Sequence, residues 1–275
     1  VQFVLLLSTA FLLSPGAQAG EIVGGWEARP HSRPYMAYLY IKDGEEPLHC
    51  GGFLVAMCPP PPNGSCIALG VCSNIFVVLG AHNISQGELN RQDISVDRKI
   101  PHEGYNKDTL KNDIMLLQLK EEATLNELVG TITLPHANER VEPGTLCSVA
   151  GGGTVWPDGA SYRGTLQEVD VVVMPDAACP RNPDWLYRLY DPATMMCVGW
   201  GMEGPKQRPG ELSEGDSGGP LVCGGTAQGI VSWGPDKAPG VYTKISTFIP
   251  WIKKTMRTLQ PGYEAPNSRV SRQEP

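Results

Sequence analysis

Short apolar runs separated by glycine- and proline-containing turns are the feature that most restricts the fold of this 275-residue chain. The chain contains 32 glycines and 25 prolines, and the short runs between them favour strands over helices. The clearest runs are 67–71, 76–79, 114–119 and 229–233. We therefore predict an all-β fold, built as one large domain or two small ones. Apolar residues spaced three and four apart over 248–256 predict a short C-terminal helix.

The N-terminal residues predict export. Residues 1–13 are almost wholly apolar, and Ala17-Gln18-Ala19 supplies the small residues that precede a signal-peptidase cut. A run of ~13 apolar residues is shorter than the ~20 that a membrane-spanning helix needs. We therefore predict a signal peptide over 1–19 and no membrane span. The polar, proline-containing segment 260–275 is predicted to be a disordered tail.

Cysteine content and charge limit the possible functions. Eight cysteines in an exported chain favour disulfides, because the secretory route is oxidising, and no CxxC pair suggests a metal site. The formal net charge of −7 argues against a general polyanion-binding surface. We therefore expect neither a metal nor a nucleic-acid partner.

Gly215-Asp216-Ser217-Gly218-Gly219-Pro220 is the strongest chemical signal in the chain. Glycines beside a serine let the backbone turn tightly and direct consecutive N–H groups at one point, as an oxyanion hole requires. In an acyl-transfer enzyme the amides of Gly215 and Ser217 would hold the developing oxyanion. For such a short string taken alone, a glycine-rich β-turn is the alternative interpretation.

Further motifs accompany this one, and together they favour a catalytic site over a glycine-rich β-turn. In chain order they are Ile22-Val23-Gly24-Gly25, Cys50-Gly51-Gly52, Asn112-Asp113-Ile114-Met115-Leu116, the Gly215–Pro220 string and Ser232-Trp233-Gly234. Together they resemble the chymotrypsin-like (trypsin-like) serine proteases. The strings 30–39 and 79–84 resemble the granule-protease branch of cathepsin G, the granzymes and mast-cell chymase. The resemblance covers about residues 16–258.

This resemblance implies a fold and a set of site residues. The fold would be a trypsin-like double six-stranded antiparallel β-barrel, with the protease domain over 22–259. Ser217 would be the nucleophile, and Asp113 the buried carboxylate that orients a histidine base. Removal of the dipeptide 20–21 would free the amine of Ile22 to pair with Asp216.

The resemblance also implies how a substrate would bind. Glu211 would lie near the base of the primary specificity pocket, and Gly240 would leave that pocket open. A carboxylate there would favour Lys or Arg substrates by charge complementarity. Ser232, Trp233 and Gly234 would offer backbone groups to an extended substrate strand.

Disulfides and partners follow from the same resemblance. It pairs Cys147 with Cys223 and Cys179 with Cys197. Cys50 has lost its usual partner, and the alternatives are Cys58, Cys66 and Cys72. The implied partners are protein or peptide substrates, protease inhibitors and an activating dipeptidyl peptidase, with no cofactor. The implied location is secretion or storage in cytoplasmic secretory granules.

One segment departs from the family. Family members carry Ala-Ala-His-Cys shortly after the Cys-Gly-Gly strand, whereas the atypical segment 56–72 has no histidine and holds four consecutive prolines. Prolines lack the N–H that a sheet ladder needs. The five histidines are His31, His49, His82, His102 and His136, all at positions that match non-catalytic residues of the family. Since loss of the base costs on the order of 10⁶ in turnover, we expect an impaired enzyme.

Three functional interpretations remain open from the sequence. The chain is an active granule serine endopeptidase, if 56–72 derives from an alternative exon or a wrong splice junction. It is a secreted non-catalytic homologue that binds rather than cuts, if the segment is genuine. It is a product that does not fold, if the strand and disulfide replaced by 56–72 are indispensable.

Overall fold

The computed structural model describes residues 3–6, 25–42, 47–55, 74–152, 164–181, 185–199, 217–234 and 239–259. These ranges contain thirteen strands, two short 3-10 helices and one α-helix. The strands are β1 (Phe3–Leu6), β2 (Trp26–Glu27), β3 (Met36–Lys42), β4 (Pro47–Val55), β5 (Asn74–Leu79), β6 (Gln92–Pro101), β7 (Met115–Leu119), β8 (Leu146–Gly152), β9 (Leu166–Val173), β10 (Met195–Gly199), β11 (Pro220–Cys223), β12 (Thr226–Trp233) and β13 (Gly240–Lys244). The 3-10 helices are Cys179–Arg181 and Trp185–Leu189, and α1 is Ile245–Thr258.

The first barrel is closed and has the strand order β1-β4-β3-β5-β6-β7. Its pairings are antiparallel, and in β3 every second side chain is buried, as expected for a sheet with one face toward a core. Leu39, Leu54, Val77 and Leu117 are all 0% exposed and form part of that core. Short strands in which every second side chain is buried therefore form the first of the two barrels that the sequence predicts.

The second barrel has the order β10-β13-β12-β11-β8-β9, and a β9–β10 pairing closes it. The two-residue strand β2 is added outside it, against Glu168 and Gln167 of β9. Its core includes Val149, Val171 and Leu221. The expected double six-stranded antiparallel barrel is confirmed, with β2 as an extra edge strand.

The predicted C-terminal helix is confirmed and begins three residues earlier than its periodicity indicated, at Ile245. Pro250 lies inside α1 and has no N–H to donate to the carbonyl of Ser246. The backbone N–H of Asn138 donates to that carbonyl at 3.0 Å instead. Because Pro250 leaves the Ser246 carbonyl free, this hydrogen bond can link the helix to the loop that contains Asn138. Among the described residues, no helix is long and apolar enough to cross a membrane.

The inner face of α1 joins a core in which the two barrels meet. This core combines Phe53 and Leu116 of the first barrel with Ile230 of the second and with Ile249 of the helix. Residues from both barrels and from the helix therefore pack against each other in this core. The predicted runs 76–79, 114–119 and 229–233 correspond to β5, β7 and β12, whereas 67–71 and the tail 260–275 lie outside the described residues.

Candidate active site

Asp113 is buried at the place where the two barrels meet. It lies two residues before the start of β7 of the first barrel and is only 1% exposed. The hydroxyl of Ser232, on β12 of the second barrel, donates to Asp113 Oδ2 at 2.5 Å. The hydroxyl of Thr243 donates to the Asp113 backbone carbonyl at 2.7 Å. A desolvated carboxylate is therefore held across the barrel interface by charge-assisted hydrogen bonding.

The backbone before Asp113 explains how the carboxylate is turned inward. Asn112 has φ of 57°, in the left-handed region that asparagine tolerates better than most side chains. Its carbonyl accepts a hydrogen bond from the N–H of Ile114 at 2.9 Å. This tight bend precedes β7, which explains why an Asn-Asp pair stands at this point of the sequence.

Ser217 lies in the turn before β11 and is held by strands of both barrels. Its carbonyl accepts a hydrogen bond from the N–H of Gly51, on β4, at 2.9 Å. The N–H of Gly218 donates to the carbonyl of Val231, on β12, at 3.0 Å. Gly218 has φ of 91°, a conformation that a residue with a Cβ adopts only with strain. Ser217 itself is 4% exposed.

Strand β12 thus brings the two predicted catalytic positions together. Val231 holds the turn that carries Ser217, and the next residue, Ser232, holds the Asp113 carboxylate. The residues Gly215, Asp216, Ile22 and Glu211, assigned above to the oxyanion hole, the activation pair and the pocket base, lie outside the described residues. Their roles stay predictions.

The residues predicted to form a substrate-binding edge lie where β12 ends and β13 begins. Ser232 and Trp233 close β12, and Trp233 is 6% exposed. Gly234 and Gly240 approach so closely that a Cβ added at Gly234 would lie 3.1 Å from Gly240 Cα. A side chain at Gly234 would therefore crowd the backbone of Gly240.

Tyr187 supports this edge and was not identified from the sequence. It is 1% exposed, lies on the 3-10 helix Trp185–Leu189, and its ring centroid is 5.6 Å from that of Trp233. Its hydroxyl donates to the carbonyl of Pro239, directly before β13. The i, i+3 spacing of Tyr187 and Tyr190 could have indicated a helical turn here, but it does not indicate that Tyr187 packs against Trp233.

The five histidines all fall within the described residues, and none was expected to act as the base. His49 packs against Tyr38 and Tyr40 with ring centroids 5.4 and 5.5 Å apart, and burial lowers the pKa of its imidazole. His82 Nε2 is 3.0 Å from Glu27 Oε1. His49 thus packs within the first barrel, and His82 contacts strand β2.

The other three histidines are also placed by contacts of their own. His102 packs against Phe248 and Trp251 of α1, and its pKa is lowered chiefly by burial. His102 Nδ1 accepts the N–H of Gly104 at 3.0 Å. His31 meets the edge of the His82 ring, and the backbone of His136 donates to Glu139. The contacts described for these five histidines involve residues other than Ser217.

Two disulfides brace the second barrel, with the pairings that the resemblance implies. Cys147–Cys223 joins β8 to β11, and Cys179–Cys197 joins the first 3-10 helix to β10 beside Tyr187 and Trp233. Cys50 is 4% exposed on β4. Its candidate partners Cys58, Cys66 and Cys72 lie outside the described residues. Within the described residues, no group of three or more potential ligands is arranged to hold a metal ion.

Comparisons with known proteins agree with this arrangement. The Trypsin family model matches residues 22–252. Cathepsin G of Mus musculus is 45% identical over 271 residues, covering 97% of each chain. Granzyme B of Rattus norvegicus is 46% identical over 257 residues, covering 92% of this chain and 98% of the relative. A solved structure described as "Structure of GrC" is 41% identical, with a TM-score of 0.69 and coverage of 85% and 98%. The chain therefore belongs to the trypsin family of serine proteases, and its relatives are those of the granule-protease branch.

Proposed function

We propose that this chain is a secreted or granule-stored member of the serine endopeptidase family that retains its nucleophile and orienting carboxylate but lacks a general base. The observation that carries the proposal is the placement of the five histidines, because the contacts described for them are with residues other than Ser217 and Asp113. The turn that carries Ser217 is held by Val231, and the Asp113 carboxylate by Ser232. The proposed consequence is very slow or absent turnover.

Turnover is expected to be slow because the groups that remain beside Ser217 are not basic enough to take the proton of its hydroxyl. A serine hydroxyl is a weak nucleophile unless a neighbouring base removes its proton as it attacks. The carboxylate of Asp113 accepts the Ser232 hydroxyl, and in a triad such a carboxylate orients an imidazole and does not take the serine proton itself. Oxyanion stabilisation and binding would leave only the residual ~10³–10⁴-fold acceleration over water seen when a triad is dismantled.

The part of the site that recognises a peptide does not depend on the base. Ser232, Trp233 and Gly234 would offer an edge to an extended peptide strand, and the packing of Trp233 against Tyr187 supports this proposal. The proposed pocket, with Glu211 at its base and Gly240 at its side, would favour Lys or Arg. Removal of 20–21 by a dipeptidyl peptidase would order it through the Ile22–Asp216 pair. Peptides and protease inhibitors are therefore the proposed ligands, and a binding role is the second candidate function.

The test compares the full chain with its Ser217→Ala variant. Hydrolysis of peptide panels with Lys, Arg, aromatic or Leu at the cleavage site is measured together with labelling of Ser217 by a fluorophosphonate. We expect both proteins to give the same background rate, and no labelling at the rate of an active serine protease. Turnover that disappears with Ser217→Ala would overturn the proposal.

The binding role is tested separately, by fluorescence titration with Lys- and Arg-terminated peptides. Gly240→Val should abolish binding by filling the pocket, whereas Gly87→Val is a matched control because no atom lies within 4 Å of a Cβ at Gly87. No binding by the unsubstituted chain would reject the binding role. Whether segment 56–72 is genuine is decided by sequencing the messenger across the codons for 50–82. Codons for Ala-Ala-His-Cys there would restore the base and predict an active protease.

A further inference from the structure

The loop between β5 and β6 carries a short motif that takes no part in the arrangement around Ser217. Asn83-Ile84-Ser85 has the Asn-X-Ser pattern that accepts N-linked glycans in exported proteins. A pattern of three residues also occurs by chance, so it marks a site only where the asparagine side chain is available and the surroundings leave room for a sugar. The structure answers both points.

The carboxamide of Asn83 is held through its oxygen and not through its nitrogen. Asn83 Oδ1 accepts the backbone N–H of Ser85 at 3.0 Å and the hydroxyl of Ser85 at 2.5 Å. Because a backbone N–H can only donate, this contact fixes which end of the carboxamide is the oxygen. Asn83 Nδ2 has no hydrogen-bond partner in the described part of the chain and is open to solvent. The atom that would receive a sugar is therefore available.

The loop is ordered by contacts that leave this nitrogen alone. Glu88 Oε1 accepts the backbone N–H of His82 at 3.0 Å and that of Asn83 at 2.6 Å. The N–H of Ile84 donates to the carbonyl of Gly164 at 2.8 Å. A Cβ added at Gly164 would lie 2.5 Å from Asn83 Oδ1, so only glycine permits this approach. The oxygen side of the carboxamide thus faces protein.

Solvent lies over the residues that follow. Ser85, Gln86 and Gly87 are all exposed, and no atom lies within 4 Å of a Cβ added at Gly87. An N-linked glycan is bulky and polar, so it requires a surface loop of this kind. The folded chain can therefore carry a glycan here without displacing a core residue.

We propose that Asn83 is an N-glycosylation site, which receives an oligosaccharide from a lipid pyrophosphate donor in the secretory route. Asn83 Nδ2 forms a bond to the anomeric carbon of the first sugar. The bond from that carbon to the pyrophosphate oxygen breaks, the pyrophosphate leaves with the electron pair, and Nδ2 loses one proton. The proposal rests on the export included in the proposed function and is independent of the missing base.

The first experiment maps the modification in the unsubstituted full chain, produced in a mammalian secretory cell line. Peptides of the secreted protein are compared before and after peptide-N-glycosidase, which leaves Asp where a glycosylated Asn stood. We expect the Asn83 peptide to carry a glycan in most molecules and to contain Asp after treatment. Secreted protein with unmodified Asn83 would overturn the proposal and leave the proposal about the base intact. A chain that never enters the secretory route would overturn it as well, and would also reject the predicted export.

The second experiment uses variants of the motif with matched controls. Asn83→Gln and Ser85→Ala should each lose one glycan, because each destroys the pattern. Ser85→Thr preserves the pattern, and Gln86→Ala changes an exposed neighbour outside it, so both should keep the glycan. Loss of the glycan in all four variants would contradict the assignment to this motif.

The chain contains a second Asn-X-Ser pattern, Asn63-Gly64-Ser65, which lies outside the described residues. Asn63→Gln separates the two. We expect the glycan at Asn83 to persist in Asn63→Gln and to disappear in Asn83→Gln. A protein whose glycan disappears with Asn63→Gln and persists with Asn83→Gln would overturn the proposal.

Discussion

Gln118 offers a sharp test of how the first barrel is packed. Its side chain is 0% exposed on β7, and neither its Nε2 nor its Oε1 has a hydrogen-bond partner in the described part of the chain. A buried amide without partners costs about 1–3 kcal/mol of stability. Gln118→Met keeps the length of the side chain and removes both polar atoms. We therefore expect this substitution to stabilise the protein.

The expected rise in melting temperature can be worked out from the size of the domain. For a domain of this length, a stabilisation of about 1–3 kcal/mol raises the melting temperature by about 3–9 °C. The assay is thermal unfolding followed by circular dichroism, with urea unfolding as a second measure. A melting temperature that falls on Gln118→Met would refute the reasoning.

The chain provides a matched control in Gln92, which has the same side chain with both ends paired. Gln92 Nε2 donates to the Thr124 carbonyl and Gln92 Oε1 accepts the Thr124 N–H, each at 2.8 Å. Gln92→Met loses both bonds and should lower stability by about 0.5–1.5 kcal/mol. Opposite signs for the two substitutions separate the effect of hydrogen bonding from that of hydrophobicity.

The remaining predictions concern the cleft and the surface around it. Ser232→Ala removes the donor to the buried Asp113 carboxylate and should cost about 1–3 kcal/mol in urea unfolding, and unchanged stability would argue against that bond. Gly218→Ala places a Cβ at φ of 91° and should cost at least ~1 kcal/mol, which the same assay measures. The Lys111 ammonium, 2.8 Å from Asp191 Oδ2, lowers the pKa of that carboxyl. Its stabilising contribution is therefore present at neutral pH and is lost as pH falls through the lowered pKa. Asp191→Asn should flatten the acid limb of melting temperature against pH, and an unchanged limb would contradict this.

Much of the fold was predictable because its signals are local. The run 114–119 is apolar and follows an Asn-Asp bend, and it forms β7 from Met115 to Leu119. The helix was predicted from the spacing of its apolar residues, while its earlier start at Ile245 depends on packing against both barrels. Pro250 would ordinarily argue against a helix, and a hydrogen bond from Asn138, more than one hundred residues away in the chain, makes it tolerable.

The sequence by itself determined the class of fold, the order of the motifs and the identity of the residues around Ser217 and Asp113. Only the tertiary structure decided that one strand, β12, holds both positions through Val231 and Ser232. Only the tertiary structure placed Phe3–Leu6 in the first barrel, between β4 and β7. The physical reason is that turn chemistry and apolar periodicity act over a few neighbouring residues. Strand pairing joins residues far apart in the chain, and the partner is selected by which buried edges remain unfilled.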